Sequence, residues 1–151
     1  MRGAGPDVIS YVECDTAFLK VPIDKQSTVE KSAESMAAGL DLLCSLSCMG
    51  SRMAVLGEMG EMGDEAPRMH ELVGAYAAAK KLDMLACVGG ELARRMAEAA
   101  RMMGMDEDRI QVFSDYQQVL DRMGGALEKH DVVLVKGSRF VELDRFVEGV
   151  C

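Results

Sequence analysis

The strongest constraint on this chain is a regular alternation of short apolar runs with helix-like segments. Four strand-like runs recur along the chain, at 53–56, 84–88, 110–113 and 131–135. After each run, apolar residues recur every three or four positions, which is the spacing of an amphipathic helix. Runs that are apolar on both faces are typical of parallel strands buried between helices. The pattern therefore predicts an α/β fold with helices on both faces of a mostly parallel sheet.

Two further strand-like runs, 8–13 and 18–23, stand on either side of a turn candidate at 15–16. Two such runs joined by a short turn favour a β-hairpin. We therefore expect an antiparallel hairpin at the N-terminal edge of the sheet, followed by a helix over about 29–48. The complete expectation is a Rossmann-like, three-layer architecture in a single domain covering 1–151.

The spacing also predicts which helix residues face inward, and where one helix begins. Ser114 and Gln117 fit a capping box at the start of the helix after the run 110–113. Two helices have apolar stripes at helical spacing, formed by Met69, Leu72, Val73 and Tyr76 in one and by Leu92, Met96, Ala99 and Met103 in the other.

Composition excludes several classes of function. The net charge of −8 argues against nonspecific nucleic-acid binding, which requires a basic face. No apolar run reaches the roughly 18–20 residues of a membrane span, and no apolar stretch of a signal peptide follows the N-terminus. We therefore expect a cytoplasmic protein without membrane or nucleic-acid partners. The odd count of five cysteines favours reduced thiols over a disulfide framework. Cys44 and Cys48 are one helical turn apart, but no third ligand lies nearby in sequence, so no metal site is predicted.

Ligands of parallel α/β sheets bind beyond the carboxyl ends of the strands. That rule points to three segments: Asp24 onward, 57–63 and 136–139. The last contains two cations and a hydroxyl, in the order Lys136-Gly137-Ser138-Arg139. Backbone N–H groups at a helix start favour an anion, and an arginine can hold a carboxylate or phosphate by two hydrogen bonds. An ordinary loop in which Ser138 caps the last helix explains the same residues equally well.

The loop 57–63 has glycines three residues apart, which is not the spacing of a dinucleotide-binding fingerprint, and no P-loop motif occurs in the 151 residues. Glu58 and Glu61 in this loop are either ligands that orient a cation or an amine, or solvated acids. His70, in the following helix, is either a catalytic residue or a packed side chain, and the second reading is the commoner one for a lone helical histidine.

Three segments together resemble a known family. They are RMAVLGEMGEMGDEAPRMHELVG at 52–74, DMLACVG at 83–89 and DVVLVKGSRFVELDRFV at 131–147. In order and spacing they resemble the C-terminal domain of the Mur ligase family, in the MurF branch that adds D-alanyl-D-alanine to UDP-MurNAc-tripeptide. The resemblance implies a domain of an ATP-dependent amide-bond ligase of peptidoglycan synthesis and cell-wall biogenesis. In such a ligase ATP phosphorylates a carboxylate, the amine attacks the acyl phosphate, and phosphate leaves.

The resemblance also implies roles for particular residues. In this family the C-terminal domain closes over ATP and holds the amine substrate, whereas the central domain supplies the P-loop and the Mg²⁺ ligands. We therefore expect this chain alone to be inactive and to bind neither cofactor by itself. The residues implied in substrate binding are Lys136, Gly137, Ser138, Arg139, Glu58 and Glu61, with His70 as a further candidate. Those implied in nucleotide binding are Asp24, Ser32 and Glu34.

Two other classes of function compete with this interpretation. The paired asparagines and the proline of the family's nucleotide segment are absent from 24–36, which favours a non-catalytic, degenerate Mur-ligase-like binding or interaction module. A receiver-like signalling domain also alternates strands and helices and has a lysine after its last strand. Receivers need an acidic pair after an early strand, and this chain has none at the right place.

Overall fold

A five-stranded sheet organises the part of the chain that the structure describes, and every strand pair in it is parallel. The computed structural model describes residues 17–20, 29–60, 62–128 and 130–150. The strands are β1 (Ala17–Lys20), β2 (Arg52–Gly57), β3 (Met84–Val88), β4 (Ile110–Phe113) and β5 (Val132–Lys136). The helices are α1 (Val29–Ser45), α2 (Ala66–Ala78), α3 (Glu91–Met102), α4 (Tyr116–Met123) and α5 (Leu143–Val150). The predicted α/β class with a parallel sheet is confirmed.

The order of strands across the sheet is β1-β5-β2-β3-β4. Strand β1 corresponds to the second N-terminal run and pairs in parallel with β5. The run 8–13, which would form the antiparallel partner, lies outside the described residues, so the edge hairpin stays a prediction.

Alternate residues of each strand enter two separate cores, one on either face of the sheet. Leu56, Leu85 and Leu134 pack with α1, α2 and α3 on one face. Val55 and Val135 pack with α4 and α5 on the other. Both clusters are buried, as expected for a sheet covered on both sides. The three-layer arrangement follows from the central strands β2, β3 and β5, which are apolar on both faces apart from residues at their ends.

Helices α2 and α3 approach each other closely at Gly74. A Cβ atom built on Gly74 would lie 2.0 Å from the carbonyl oxygen of Met96. This approach turns a face of mostly small residues of α3 inward, and its buried residues are Ala93, Met96, Ala97 and Ala100.

The inner faces predicted for these two helices are therefore partly wrong. Met103 is 63% exposed and Leu72 is 50% exposed, although both were expected to face the core. They lie instead along a groove on the outer surface between α2 and α3. Met96, Met69 and Val73 are buried as expected.

The start of α4 also differs from the sequence prediction, by one residue. Asp115, rather than Ser114, is the N-cap, and its Oδ1 accepts a hydrogen bond of 3.0 Å from the backbone N–H of Gln118. The side chain of Gln118 accepts in return from the N–H of Ser114, at 2.8 Å. Two reciprocal hydrogen bonds are thus present, but they involve Gln118 instead of Gln117, and the second comes from the residue before the N-cap. In the part of the chain that the structure describes, no helix is both long and apolar enough to cross a membrane.

Candidate functional site

The topology places a crevice between the carboxyl ends of β2 and β5. These strands are neighbours, with Leu56 opposite Lys136. The chain leaves β2 toward α2 on one face of the sheet and leaves β5 toward α5 on the other face. Loops that diverge to opposite faces leave an opening between them, and ligands of open α/β sheets bind at such switch points. Two of the three segments singled out in the sequence, 57–63 and 136–139, therefore meet at one place.

Ser138 joins the two loops directly. Its backbone N–H and its hydroxyl both donate to the carbonyl oxygen of Glu58, at 3.1 Å and 2.8 Å. The hydroxyl proton is thus used to hold the neighbouring loop. The carbonyl of Ser138 accepts from the N–H of Val141, which forms the short 3₁₀ turn Arg139–Val141 ahead of α5.

The close approach of the loops depends on two glycines. A Cβ atom built on Gly137 would lie 2.9 Å from the Cα of Gly57. That distance is shorter than any side chain tolerates against a backbone atom, so Gly137 is needed for β5 to end this close to β2. A Cβ atom on Gly57 would instead lie 2.9 Å from Cγ1 of Val141. Gly60 faces the same crevice, since a Cβ there would lie 3.6 Å from the Cβ of Ser138.

The carboxylate of Glu58 points away from Ser138, toward the start of α3. Its Oε2 accepts from the N–H of Gly90 at 2.8 Å and from that of Ala93 at 3.0 Å. Gly90, the N-cap residue of α3, has no side chain that could satisfy these donors. Glu58 therefore acts as the cap from another loop, where a negative charge is also favoured by the helix dipole. Among the described residues, none donates a hydrogen bond to its other oxygen, Oε1.

His70 is completely buried and makes two hydrogen bonds to backbone groups. Its Nε2 accepts from the N–H of Met59 at 2.8 Å. Its Nδ1 lies 2.7 Å from the carbonyl oxygen of Ala66, one turn earlier in α2, so Nδ1 carries the proton. Burial lowers the pKa of His70, and the smaller opposing effects of the Ala66 carbonyl and the Glu58 charge do not reverse this. The neutral imidazole links α2 to the loop, as the packed reading of this histidine implies.

A cleft of about 660 Å³ opens beside the crevice, along the carboxyl ends of β3 and β4. Glu58 and Gly90 form part of its lining, and Tyr116, Phe140 and Glu142 close its other side. The ring of Phe140 is 61% exposed, which is unusual for a large apolar side chain. Sequence reasoning missed Phe140 and Tyr116. The available signal was the position of Phe140 directly after Lys136-Gly137-Ser138-Arg139.

The remaining candidates are distributed unevenly. Lys136 is the last residue of β5 and is partly buried at the crevice, and Arg139 begins the 3₁₀ turn that follows it. Ser32 and Glu34 lie in α1, with the side chain of Glu34 exposed. Asp24 and Glu61 lie outside the described residues. The structure thus brings Glu58 together with 136–138.

A doubly covered parallel sheet with a crevice at its switch point is typical of α/β domains that bind ligands. The family described as "Mur ligase, glutamate ligase domain" matches residues 31–139, well over half of the chain. The chain therefore belongs to the Mur ligase C-terminal domain family, as the resemblance implied.

Two curated relatives are UDP-N-acetylmuramoyl-tripeptide–D-alanyl-D-alanine ligases. The Bacillus subtilis enzyme is 32% identical over 119 residues, covering 79% of this chain and 26% of the enzyme. The Treponema pallidum enzyme is 35% identical over 114 residues, covering 74% of this chain and 24% of the enzyme. The chain thus spans about a quarter of the length of these relatives.

Solved structures of MurF ligases have the same fold. The Thermotoga maritima ligase, in complex with ADP, matches with a TM-score of 0.68 and 23% identity, over 97% of this chain and 31% of the ligase. A MurF from Acinetobacter baumannii matches with a TM-score of 0.74 and 21% identity, over 93% of this chain and 29% of that protein.

Proposed function

We propose that this chain is the C-terminal domain of an ATP-dependent ligase that adds D-alanyl-D-alanine to UDP-MurNAc-tripeptide. In the assembled enzyme it closes over ATP and holds the amine substrate. The observation that carries the proposal is the junction of the two loops at the switch point, where Ser138 donates twice to the carbonyl of Glu58. The names and the family of the curated relatives support the same assignment.

The chemistry of the crevice suits a dipeptide with a free carboxylate and a free amine. Lys136 and Arg139 bring two positive charges to the end of β5, where the carboxylate would be held by charge-assisted hydrogen bonds. Gly137 lets the ligand approach the backbone. Oε1 of Glu58, together with Glu61, would orient the ammonium group toward the acyl phosphate.

The nucleotide role depends on other residues. We propose that Asp24, Ser32 and Glu34 lie near ATP when the domain closes on its central partner. Among the described residues, no group of three or more His, Cys, Asp or Glu side chains is arranged to hold a metal ion. By the resemblance to the family, we assign the Mg²⁺ ligands and the P-loop to the central domain.

A chimera tests the proposal directly. The matching C-terminal quarter of the Bacillus subtilis relative is replaced by this chain, and the purified protein is given ATP, UDP-MurNAc-tripeptide and D-alanyl-D-alanine. We expect ADP release that depends on the dipeptide, together with the amide product detected by mass spectrometry. A folded chimera that binds ATP but forms no product would overturn the proposal and support the non-catalytic module instead.

Matched variants of the chimera locate the substrate. We expect Lys136→Ala and Arg139→Ala to raise KM for the dipeptide about tenfold or more, since a hydrogen bond to a charged group contributes about 1.5–3 kcal/mol. Lys81→Ala is the control, because Lys81 is exposed and precedes β3 at the opposite end of the sheet. Equal KM values for all three variants would show that the anion site is misplaced.

A further inference from the structure

One peptide unit connects His70 to the loop that follows β5. The N–H of Met59 is held by Nε2 of His70, and the carbonyl of Glu58 is held by the N–H and the hydroxyl of Ser138. These two groups belong to the same planar unit, the peptide bond between Glu58 and Met59. A rotation of that plane moves both groups together.

We infer that His70 is a positioning residue for the crevice, acting through this shared peptide on the loop 136–139. The imidazole fixes the plane of the peptide, and the plane aims the Glu58 carbonyl at Ser138. The effect on substrate binding rests on the proposed function, whereas the effect of His70 on the two loops does not depend on it.

The arrangement requires the neutral imidazole with its proton on Nδ1. In this form Nδ1 donates to the carbonyl of Ala66, and Nε2 keeps the lone pair that meets the N–H of Met59. A protonated ring would bring two N–H groups face to face, 2.8 Å apart between nitrogens. Met59 is only 6% exposed and its hydrogen bond to Nε2 is buried, so water is not at hand to replace this acceptor.

The same displacement would reach helix α3. The N–H of Glu58 donates to the carbonyl of Val88, and Oε2 of Glu58 accepts from Gly90 and Ala93. Backbone contacts on both sides of Glu58 therefore confine it between β3 and β5. A displacement of the Met59 N–H would therefore also displace the groups at the start of α3 and at Ser138.

The neutral form of the His70 imidazole is explained by burial and not by the charged groups around it. Glu58 in the loop is the charged group whose field favours the protonated ring, and burial outweighs it. On α2 and the turn before it, Glu65 pairs with Arg68, and Glu71 pairs with Arg95 of α3. These four side chains are partly exposed and face one another at the surface.

Two isosteric variants separate the bonds of His70. Glutamine places its terminal oxygen where Nε2 lies and retains an acceptor for Met59. Asparagine places its amide nitrogen where Nδ1 lies, so it retains the donor to Ala66 and loses that acceptor. The measurement is ¹⁵N NMR of the full chain, with hydrogen exchange of the Met59 amide.

We expect His70→Gln to keep the amide shifts of Glu58, Ser138 and Gly90 near their wild-type values. His70→Asn should displace all three and lower the protection of the Met59 amide about five- to tenfold, the loss expected for one hydrogen bond. In the wild type, the same amides should move with the ring nitrogens as His70 titrates. The inference would be overturned if a folded His70→Asn variant had wild-type amide shifts. It would also be overturned if these amide shifts did not change as His70 titrates in the wild type.

In the chimera, His70→Asn should raise KM for the dipeptide more than His70→Gln does. If the NMR result holds and both variants leave KM unchanged, His70 still sets the loops, and the crevice is not the dipeptide site. The failure of the inference and the failure of the proposed function are therefore distinguishable.

Discussion

Replacement of Glu58 by alanine should destabilise the domain by removing the cap of α3. Oε2 of Glu58 satisfies two of the N–H groups at the start of this helix, at 2.8 Å and 3.0 Å. One capping bond contributes about 1 kcal/mol, and a negative charge at a helix N-terminus adds about 0.3–1 kcal/mol when it is partly exposed. The loss should therefore be about 2–3 kcal/mol. Glu58→Gln keeps an acceptor oxygen and should lose only the charge contribution.

The free energy of unfolding is measured by urea denaturation followed by circular dichroism, and Tm by a thermal scan. For a domain of this size, the loss corresponds to a decrease in Tm of roughly 4–12 °C. Glu98→Ala is the control, because Glu98 is an exposed glutamate of the same helix that pairs only at the surface with Arg101. Its effect should stay within about 0.5 kcal/mol. If Glu58→Ala and Glu98→Ala have the same free energy of unfolding, the cap assigned to Glu58 does not contribute to stability.

Three further predictions follow from buried positions. Gly74→Ala places a methyl group 2.0 Å from the carbonyl oxygen of Met96, so it should lower the free energy of unfolding, measured by urea denaturation, by about 1–3 kcal/mol. Gly125→Ala is the control and should be nearly neutral, because no heavy atom lies within 4 Å of the new Cβ. Folding lowers the pKa of His70 from 6.5, so its contribution to the free energy of unfolding should be fully present above pH 6.5. Below that pH the free energy of unfolding should decrease by at most about 1.4 kcal/mol per pH unit, until the ring in the folded protein is protonated. His70→Gln should remove this slope; an unchanged slope would assign it to other groups. Burial raises the pKa of Cys87 to about 12, so its thiol should resist alkylation at pH 8 until the chain unfolds. The partly buried Cys44 and Cys48 should react earlier. Alkylation of Cys87 in the native protein, detected by peptide mass spectrometry, would contradict this.

Local pattern was sufficient for the strands. The runs 84–88 and 110–113 correspond to β3 and β4 residue for residue. Every residue of β3 is apolar, whereas β4 lies at the edge of the described sheet, contains Gln111 and leaves Val112 40% exposed. Helix faces were harder to predict from periodicity. In α3 the apolar residues form two overlapping stripes, and the approach at Gly74 decides between them by admitting mostly small side chains. That approach is a tertiary contact, so it cannot be predicted from the periodicity of one helix.

The site was only partly visible in the sequence for the same reason. The rule that ligands bind at the carboxyl ends of strands located 57–63 and 136–139, and the switch point joins them. The roles of Glu58 and Ser138 as partners depend on hydrogen bonds between residues 80 positions apart. The capping of α3 by Glu58 spans 32 and 35 positions. Sequence spacing alone cannot distinguish such an acid from a solvated one.

The most direct test is a titration of the ¹⁵N-labelled chain with D-alanyl-D-alanine, followed by amide shifts. We expect the dipeptide to move the amides of Gly57, Gly137 and Ser138. D-alanyl-D-alaninamide, which lacks the carboxylate, should move them far less at the same concentration. Equal shifts with both compounds, or shifts confined to the outer groove between α2 and α3, would contradict the assignment of the switch-point crevice as the site that holds the amine substrate.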